Sequence, residues 1–331
     1  MVNLPFCSVL MPVYNGEKYL KEAIESILNQ TFSNFEFIIV YDESTDGTKE
    51  ILDYYAKKDP RIKVVTQKKA GIPRALNKGL QLCKGEWIFR FDSDDISFPN
   101  RMELQLNEIN KRKDLVLLGG FCEQINEDGV VLKVNKYPIR HNELVKNIEN
   151  LKPFMPHPSI CYKRDVVNKI GGYRVMFTYA EDTDLWLRIS EIGEIGCIAA
   201  AIIKLRKHSH NVSNSHLKDV ELYALCAVIC HFRRKYGFID PSGLDERTWE
   251  SFKIWVEAKL KKMGVYEENK SYQLFRDLWF TNIHLYPIKR LLHLLINGKI
   301  NFSLIKYLCR RLWGHVAAKF AIQSKDLYGV E

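Results

Sequence analysis

Apolar and polar positions from residue 6 to about 118 alternate between two textures. Short runs of consecutive apolar residues, Cys7 to Val13, Phe35 to Val40, Ile62 to Val65, Trp87 to Phe91 and Leu115 to Leu118, are separated by longer segments with apolar residues every three or four positions. Such runs are strands buried on both faces, and the segments between them have the period of helices with one apolar stripe. Residues 17 to 29 put Tyr19-Leu20, Ala23-Ile24 and Ile27-Leu28 on one face; Thr48 to Lys57 and Ile72 to Cys83 follow the same rule, the latter closing at Gly85. The alternation predicts βαβ units and an α/β fold around a largely parallel sheet.

After Gly119-Gly120 the pattern changes. Asp128-Gly129 between β-prone arms predicts a hairpin. A strand from His157 to Tyr162 and a short helix from Arg164 to Ile170 lead to the turn Gly171-Gly172-Tyr173. Glu181-Asp182 then opens an amphipathic helix, as acids at a helix N-terminus do. A strand from Gly196 to Ile203 ends the compact part, and the polar stretch His208 to Ser215 reads as a linker. The expected division is therefore an α/β domain over 1–210 and a helical region over 211–331.

Charge sharpens this division. Residues 1–214 carry 30 basic and 28 acidic residues, and residues 215–331 carry 19 and 12. The basic excess belongs to the tail and points to an anionic partner surface there. Phe302 to Ile322 puts Ile305, Leu308, Leu312, Val316 and Phe320 on one stripe, with Lys306, Arg310, Arg311 and Lys319 largely elsewhere. Such a helix either lies in an anionic membrane interface or packs its stripe on the rest of the tail. No helix-turn-helix, zinc-finger or RNA-binding signature accompanies the charge, so nucleic acid is not an expected partner. The eight cysteines are scattered with no Cys-x-x-Cys pair, which argues against zinc and disulfide frameworks and for a reducing cytosol. The start Met1-Val2-Asn3-Leu4-Pro5 is unlike a signal peptide, and no apolar run is long enough to span a bilayer. The expectation is a cytoplasmic protein, peripheral at the inner face of the membrane if the tail binds lipid.

Candidate chemistry sits at strand ends. The strand ending Phe89-Arg90-Phe91 runs straight into Asp92-Ser93-Asp94-Asp95. Three carboxylates this close repel unless a cation or a set of donors neutralises them. Magnesium or manganese commonly bridges carboxylates to a substrate's phosphates. The competing reading is an acidic loop in which Asp95 or Ser97 caps the helix beginning near Phe98-Pro99. Asp42 and Glu181-Asp182 stand at a strand end and a helix start, and in open α/β sheets ligands bind at the carboxyl ends of the strands. Asp42 suits a base imide, Asp92 and Asp94 suit ribose hydroxyls and a diphosphate-bound metal, and 181 or 182 suits a general base. Asp46 reads as the cap of the helix from Thr48 and Trp186 as core; His157, between two prolines, faces an acceptor or is structural.

These residues carry a resemblance. Ser8-Val-Leu-Met-Pro12-Val13-Tyr14-Asn15-Gly16-Glu17, Asp42-Glu-Ser44-Thr45-Asp46-Gly47, Asp92-Ser93-Asp94-Asp95, and Glu181-Asp182 before Leu185-Trp186-Leu187-Arg188 resemble, in this order over residues 6 to 210, the family 2 glycosyltransferases. The resemblance implies a GT-A fold, a Rossmann-like mixed sheet, with a nucleotide-diphosphate sugar as donor. It also implies a Mn or Mg ion and single-displacement transfer with inversion. Pro12, Tyr14 and Glu17 would border the nucleoside, Asp42 the base, Asp92 with Ser93 the ribose, and Asp94 the metal. Asp182 would be the general base with Glu181 as its rival, and His208, before the less suitable His210, would complete the metal site. Tyr41 and Glu43 flank Asp42 where the family usually has two acids and a glycine, and Arg74 stands where it can offset the charge of the diphosphate. The Gln-x-x-Arg-Trp signature of processive members is missing, which implies one sugar per encounter. The expected activity is transfer from a UDP-sugar to a glycan or lipid-linked acceptor in surface polysaccharide synthesis. The alternatives are a silent nucleotide-sugar-binding scaffold at the membrane and a sugar-phosphate nucleotidyltransferase, though Pro12 to Glu17 is not the glycine-rich basic loop that the latter needs.

Overall fold

The computed structural model describes residues 6–209, 211, 215–262, 318, 321 and 322. Nine strands form one mixed sheet: β1 Cys7–Val13, β2 Phe35–Asp42, β3 Ile62–Gln67, β4 Trp87–Arg90, β5 Ile96–Ser97, β6 Leu115–Ile125, β7 Val131–Asn135, β8 Cys161–Lys163 and β9 Glu194–Arg206. The order is β3-β2-β1-β4-β8-β6-β9-β5, with β7 on β6. β1 to β4 are parallel, whereas β8 runs antiparallel to both β4 and β6. The helices between the first strands are α1 Leu20–Leu28, α2 Thr48–Lys58, α3 Ile72–Leu82 and α4 Arg101–Lys111. They are followed by α5 His141–Glu149, α6 Arg164–Lys169 and α7 Glu181–Ser190.

All eight residues of β2 are buried. Each of Phe37, Ile38 and Ile39 gains roughly 1.5–3 kcal/mol by leaving water. The buried acid at the entry end of β2, Glu36, is satisfied by Ser8 Oγ at 2.8 Å, Lys63 Nζ at 2.7 Å and the Lys84 N–H. Close packing fixes the helices on the sheet: a Cβ on Gly79 of α3 would lie 2.1 Å from Leu10 Cδ1, and one on Gly85 2.3 Å from the Cys7 carbonyl carbon.

The structure departs from the sequence pattern in four places. The expected strand from His157 is a 3-10 turn over His157–Ser159, and strand begins only at Cys161; Pro156 and Pro158 remove two ladder donors and fix φ there. Neither Asp95 nor Ser97 caps α4. Its N-cap is Asn100, while Asp95 Oδ1 accepts the Arg206 N–H at 2.8 Å and Ser97 Oγ accepts from Gln30 Nε2 at 3.1 Å. α1 starts at Leu20, because residues 17–19 form a turn closed on the Gly16 carbonyl by Tyr19 and Leu20 N–H groups. Finally, β6 and β9 run well beyond the apolar runs and pair with each other through three register shifts.

By compactness the chain divides into two units, Met1–Val145 with Phe154–Leu217, and Lys146–Pro153 with Lys218–Glu331. In the second, α8 Leu217–Lys235 and α9 Glu246–Lys262 flank a 3-10 turn at Pro241–Gly243. Trp249, Phe252, Val256 and Leu260 form the buried stripe of α9, and His231 Nε2 lies 3.2 Å from Glu149 Oε1. The amphipathic segment Phe302 to Ile322 lies almost wholly outside the described residues. Among those described, no helix is long and apolar enough to cross a membrane, and no disulfide links the cysteines that fall within them.

Candidate active site

The parallel strands β1 to β4 end at Val13, Asp42, Gln67 and Arg90, so one edge of the sheet collects the loops that follow. The first two loops are stitched together. Asn15, at φ +49°, accepts the Thr45 N–H on Oδ1 at 2.9 Å and donates its own N–H to Ser44 Oγ. The N-cap of α2 is Gly47, with no side-chain capping bond, rather than the Asp46 that the sequence suggests; Asp46, one residue earlier, accepts the Thr48 N–H on Oδ1 at 3.1 Å, and Glu17 Oε2 accepts the Gly47 N–H at 2.9 Å. Pro12 lies in β1 opposite Val40 of β2. Tyr14 is 40% exposed, with Lys69 Nζ 2.9 Å from its hydroxyl. Arg74 is exposed on the first turn of α3. Asp42 is buried; it accepts from Gln67 Nε2 and from the Ala70 and Gly71 N–H groups.

After β4 the carboxylates of Asp92, Asp94 and Asp95 each offer an oxygen within 4.8 Å of the others, with Ser93 between the first two. Arg90, buried under the cluster, forms an ion pair with Asp92. Asp94 Oδ2 lies 2.8 Å from His208 Nε2 and accepts from Asn211 Nδ2 at 3.3 Å. Asp95 Oδ2 is buried without a hydrogen-bond partner. Burial raises the pKa of Asp95 well above the usual carboxylate range, and the charges of Asp94 and Asp92 raise it further. An orphaned oxygen and mutual repulsion are relieved together by a cation, and hard carboxylate oxygens with one imidazole fit magnesium or manganese.

Ala180, in the left-handed region at φ +56°, turns the chain into α7 and sets Glu181 and Asp182 on its first turn. Burial, then the Asp182 charge, raises Glu181 to about 8, and burial also raises Asp182. Glu181 Oε1 lies 3.8 Å from His157 Nδ1. His157 is buried, with Nε2 2.8 Å from the Tyr173 hydroxyl, and burial and the Arg90 charge push its pKa well below the ordinary histidine value. Trp186 packs against it in the core, centroids 5.1 Å apart. Asp92 feels the charges of both Asp94 and Asp182, so the acidic loop and the start of α7 share one electrostatic site. His210 lies outside the described residues.

Several residues of this site carry no motif: Gln67, Arg90, Asn211 and Arg206. Arg206 is 3% exposed. It donates to the Asp94 carbonyl at 3.0 Å and the Glu127 carbonyl at 2.9 Å, pairs with Glu22, and lies over the Tyr19 ring. The one available signal for Arg90 is a cation inside an apolar strand that ends in three acids.

A mixed sheet whose parallel edge gathers an acidic crevice is the architecture of GT-A glycosyltransferases, and solved structures of that class share the fold. Residues 1–349 of S. aureus TarS in complex with UDP-GlcNAc match 96% of this chain and 90% of theirs at 16% identity, TM-score 0.58. The mannosyltransferase PcManGT from Pyrobaculum calidifontis, in complex with GDP-Man and Mn2+, matches with TM-score 0.53. In sequence, the profile of glycosyl transferase family 2 matches residues 8–171. The O-antigen biosynthesis glycosyltransferase WbnJ of Escherichia coli is 40% identical over 223 residues, 66% of this chain and 86% of WbnJ. The amylovoran biosynthesis glycosyltransferase AmsE of Erwinia amylovora is 30% identical over 70% of this chain and 88% of AmsE. The chain belongs to glycosyl transferase family 2 and is a glycosyltransferase.

Proposed function

We propose that the protein transfers a sugar from a UDP-sugar to a hydroxyl of a surface polysaccharide or lipid-linked oligosaccharide, with inversion, in a metal-dependent reaction. The observation that carries this reading is the convergence of Asp92, Asp94, Asp95 and His208 with the buried acids of α7. Asp94 and His208, with Asp92 beside them, would hold Mn2+ or Mg2+. When bound, the ion offsets the charge that builds on the departing diphosphate. Asp42 accepts from the base, Pro12, Tyr14 and Glu17 border the nucleoside, Asp92 and Ser93 take the ribose, and Arg74 lies toward the diphosphate.

Asp182 takes the acceptor proton. Glu181, at about 8, holds its own proton at neutral pH, which leaves Asp182 as the carboxylate able to accept one. Attack by the deprotonating hydroxyl on the anomeric carbon from the face opposite the diphosphate inverts that centre in one displacement.

The UDP-GlcNAc complex of TarS supports the donor class, and the polysaccharide roles printed for WbnJ and AmsE support the acceptor class. The PcManGT complex with Mn2+ supports the ion. A lipid-linked acceptor places the protein at the inner face of the membrane, where the 19 basic against 12 acidic residues of 215–331 favour anionic lipid. The test is nucleotide-diphosphate release from UDP-, GDP- and dTDP-sugars with lipid-linked acceptors, and the anomeric configuration of the product by NMR. UDP release with an inverted product is expected; a retained configuration, or release without any sugar transferred, overturns the reading.

A further inference from the structure

Asp42 and Gln67 are cross-strand partners at the ends of β2 and β3, at the edge of the sheet where the strands end. Gln67 Nε2 donates to Asp42 Oδ1. The backbone N–H groups of Ala70 and Gly71 both reach Asp42 Oδ2 at 3.3 Å. A carboxylate has about four lone-pair sites; these bonds use three, and the fourth lies on Oδ1 beside the glutamine. The same contact orients the Gln67 amide, because its oxygen against a carboxylate oxygen would leave two acceptors with no hydrogen between them. The hydrogen-bonding positions of the pair that these contacts do not use are the second hydrogen of Nε2 and one lone pair of Asp42 Oδ1.

We infer that Asp42 and Gln67 together form a base-reading edge, an acceptor flanked by a donor, which selects nucleotides whose base carries an N–H beside a carbonyl. This inference rests on the nucleotide-sugar reading given above and adds Gln67 as a specificity-determining residue. Uracil and thymine present N3–H beside O4, and guanine presents N1–H beside O6; all three match the edge. Cytosine and adenine present a ring-nitrogen acceptor beside an amino donor, the reverse order, and would leave both Asp42 and Gln67 opposed by like groups. Buried polar groups left unpaired are what allows a hydrogen-bonding site to reject the wrong analogue.

The two backbone N–H groups on Oδ2 make the inference sharp, because they fix which atom an asparagine would put where. In Asp42→Asn the amide oxygen takes the place of Oδ2, so the NH2 group turns toward Gln67. Gln67 then presents its oxygen to that group. The open edge becomes a donor flanked by an acceptor, which is complementary to cytosine.

The experiment is calorimetric titration of the full chain with UDP, GDP, CDP and ADP at one fixed Mn2+ concentration, for the wild type, Asp42→Asn and Gln67→Met. The wild type is expected to bind UDP at least 10-fold more tightly than CDP or ADP. Gln67→Met should weaken UDP by about 10-fold with CDP little changed, and Asp42→Asn should bind CDP in preference to UDP. If both variants keep the wild-type UDP-to-CDP ratio and only lose thermal stability, the pair is a structural clasp at the start of α3 and the inference fails while the donor reading stands. If Asp42→Asn does not fold, the UDP-to-CDP ratio of Gln67→Met alone decides. Wild-type protein that binds none of the four nucleotides overturns the donor reading itself.

Discussion

His208 Nε2 lies 2.8 Å from Asp94 Oδ2 across 114 residues of sequence. Asn211 fastens the pair from its far side, accepting the His208 N–H on Oδ1 at 2.7 Å and donating to Asp94 Oδ2 at 3.3 Å. The end of β9 is thereby tied to the acidic loop after β4. Asp94→Ala and His208→Ala are each expected to lose Mn2+ binding in a calorimetric titration and at least 100-fold in turnover, with an unchanged far-UV spectrum. Retained metal affinity in Asp94→Ala would remove that residue from the site.

Asp182→Asn keeps the shape of the first turn of α7 but cannot accept a proton. General-base catalysis contributes about 10²–10⁴-fold, so kcat should fall by that factor while donor affinity stays within about 3-fold. Glu181→Gln should lower kcat far less, since Glu181 is already protonated at neutral pH. A larger loss in Glu181→Gln than in Asp182→Asn would exchange the two roles.

Folding stability should fall between pH 6.5 and 8 in metal-free buffer. Glu181 is raised from 4.5 to about 8 in the folded protein. A raised carboxyl stabilises fully below its unfolded value, and that stabilisation is lost as the pH climbs to the folded value. His157 works in the opposite sense: its folded pKa is pushed below 6.5, so its contribution is complete above that pH and is lost as the pH falls further. The window from 6.5 to 8 thus isolates the acids, and urea unfolding of Glu181→Gln there should give a shallower slope, by an amount on the order of a few kcal/mol across the carboxyl's titration. Equal slopes for the two proteins would contradict the assignment.

Arg206→Met removes the donors that hold the Asp94 and Glu127 carbonyls. Each of these part-buried hydrogen bonds contributes roughly 0.5–1.5 kcal/mol. The variant should melt several degrees lower and bind Mn2+ at least 10-fold more weakly, because the acidic loop loses its anchor. A lower melting temperature with unchanged metal affinity would confine Arg206 to stability.

The sequence made legible whatever rests on local pattern. Buried parallel strands read as unbroken apolar runs, so β1 to β4 and the helices after the first three of them were predicted within a few residues. Acids at strand ends stand out against apolar flanks, which is why Asp42, Asp92, Asp94 and Asp182 were singled out. Long-range partners have no local pattern. Gln67 is an ordinary polar strand end until β3 aligns it with Asp42. Asn211 fell inside a stretch read as linker, and Arg206 becomes buried only when the turn at 126–127 folds over it. The two-residue β5 is too short to show a period. At His157 the prolines on either side outweigh the β-prone residues that follow, so the chain turns where the apolar pattern predicts a strand.

In the function proposed above, the acidic loop binds a nucleotide diphosphate through a divalent cation. The most direct measurement is the thermal shift of wild-type protein and Asp94→Asn with UDP, each with and without manganese. Ligand at about 100 times its Kd stabilises the folded state by ~2.7 kcal/mol. Wild-type protein should be stabilised by UDP only when manganese is present, and Asp94→Asn in neither condition. A UDP shift of equal size with and without manganese, or an undiminished shift in Asp94→Asn, would contradict it.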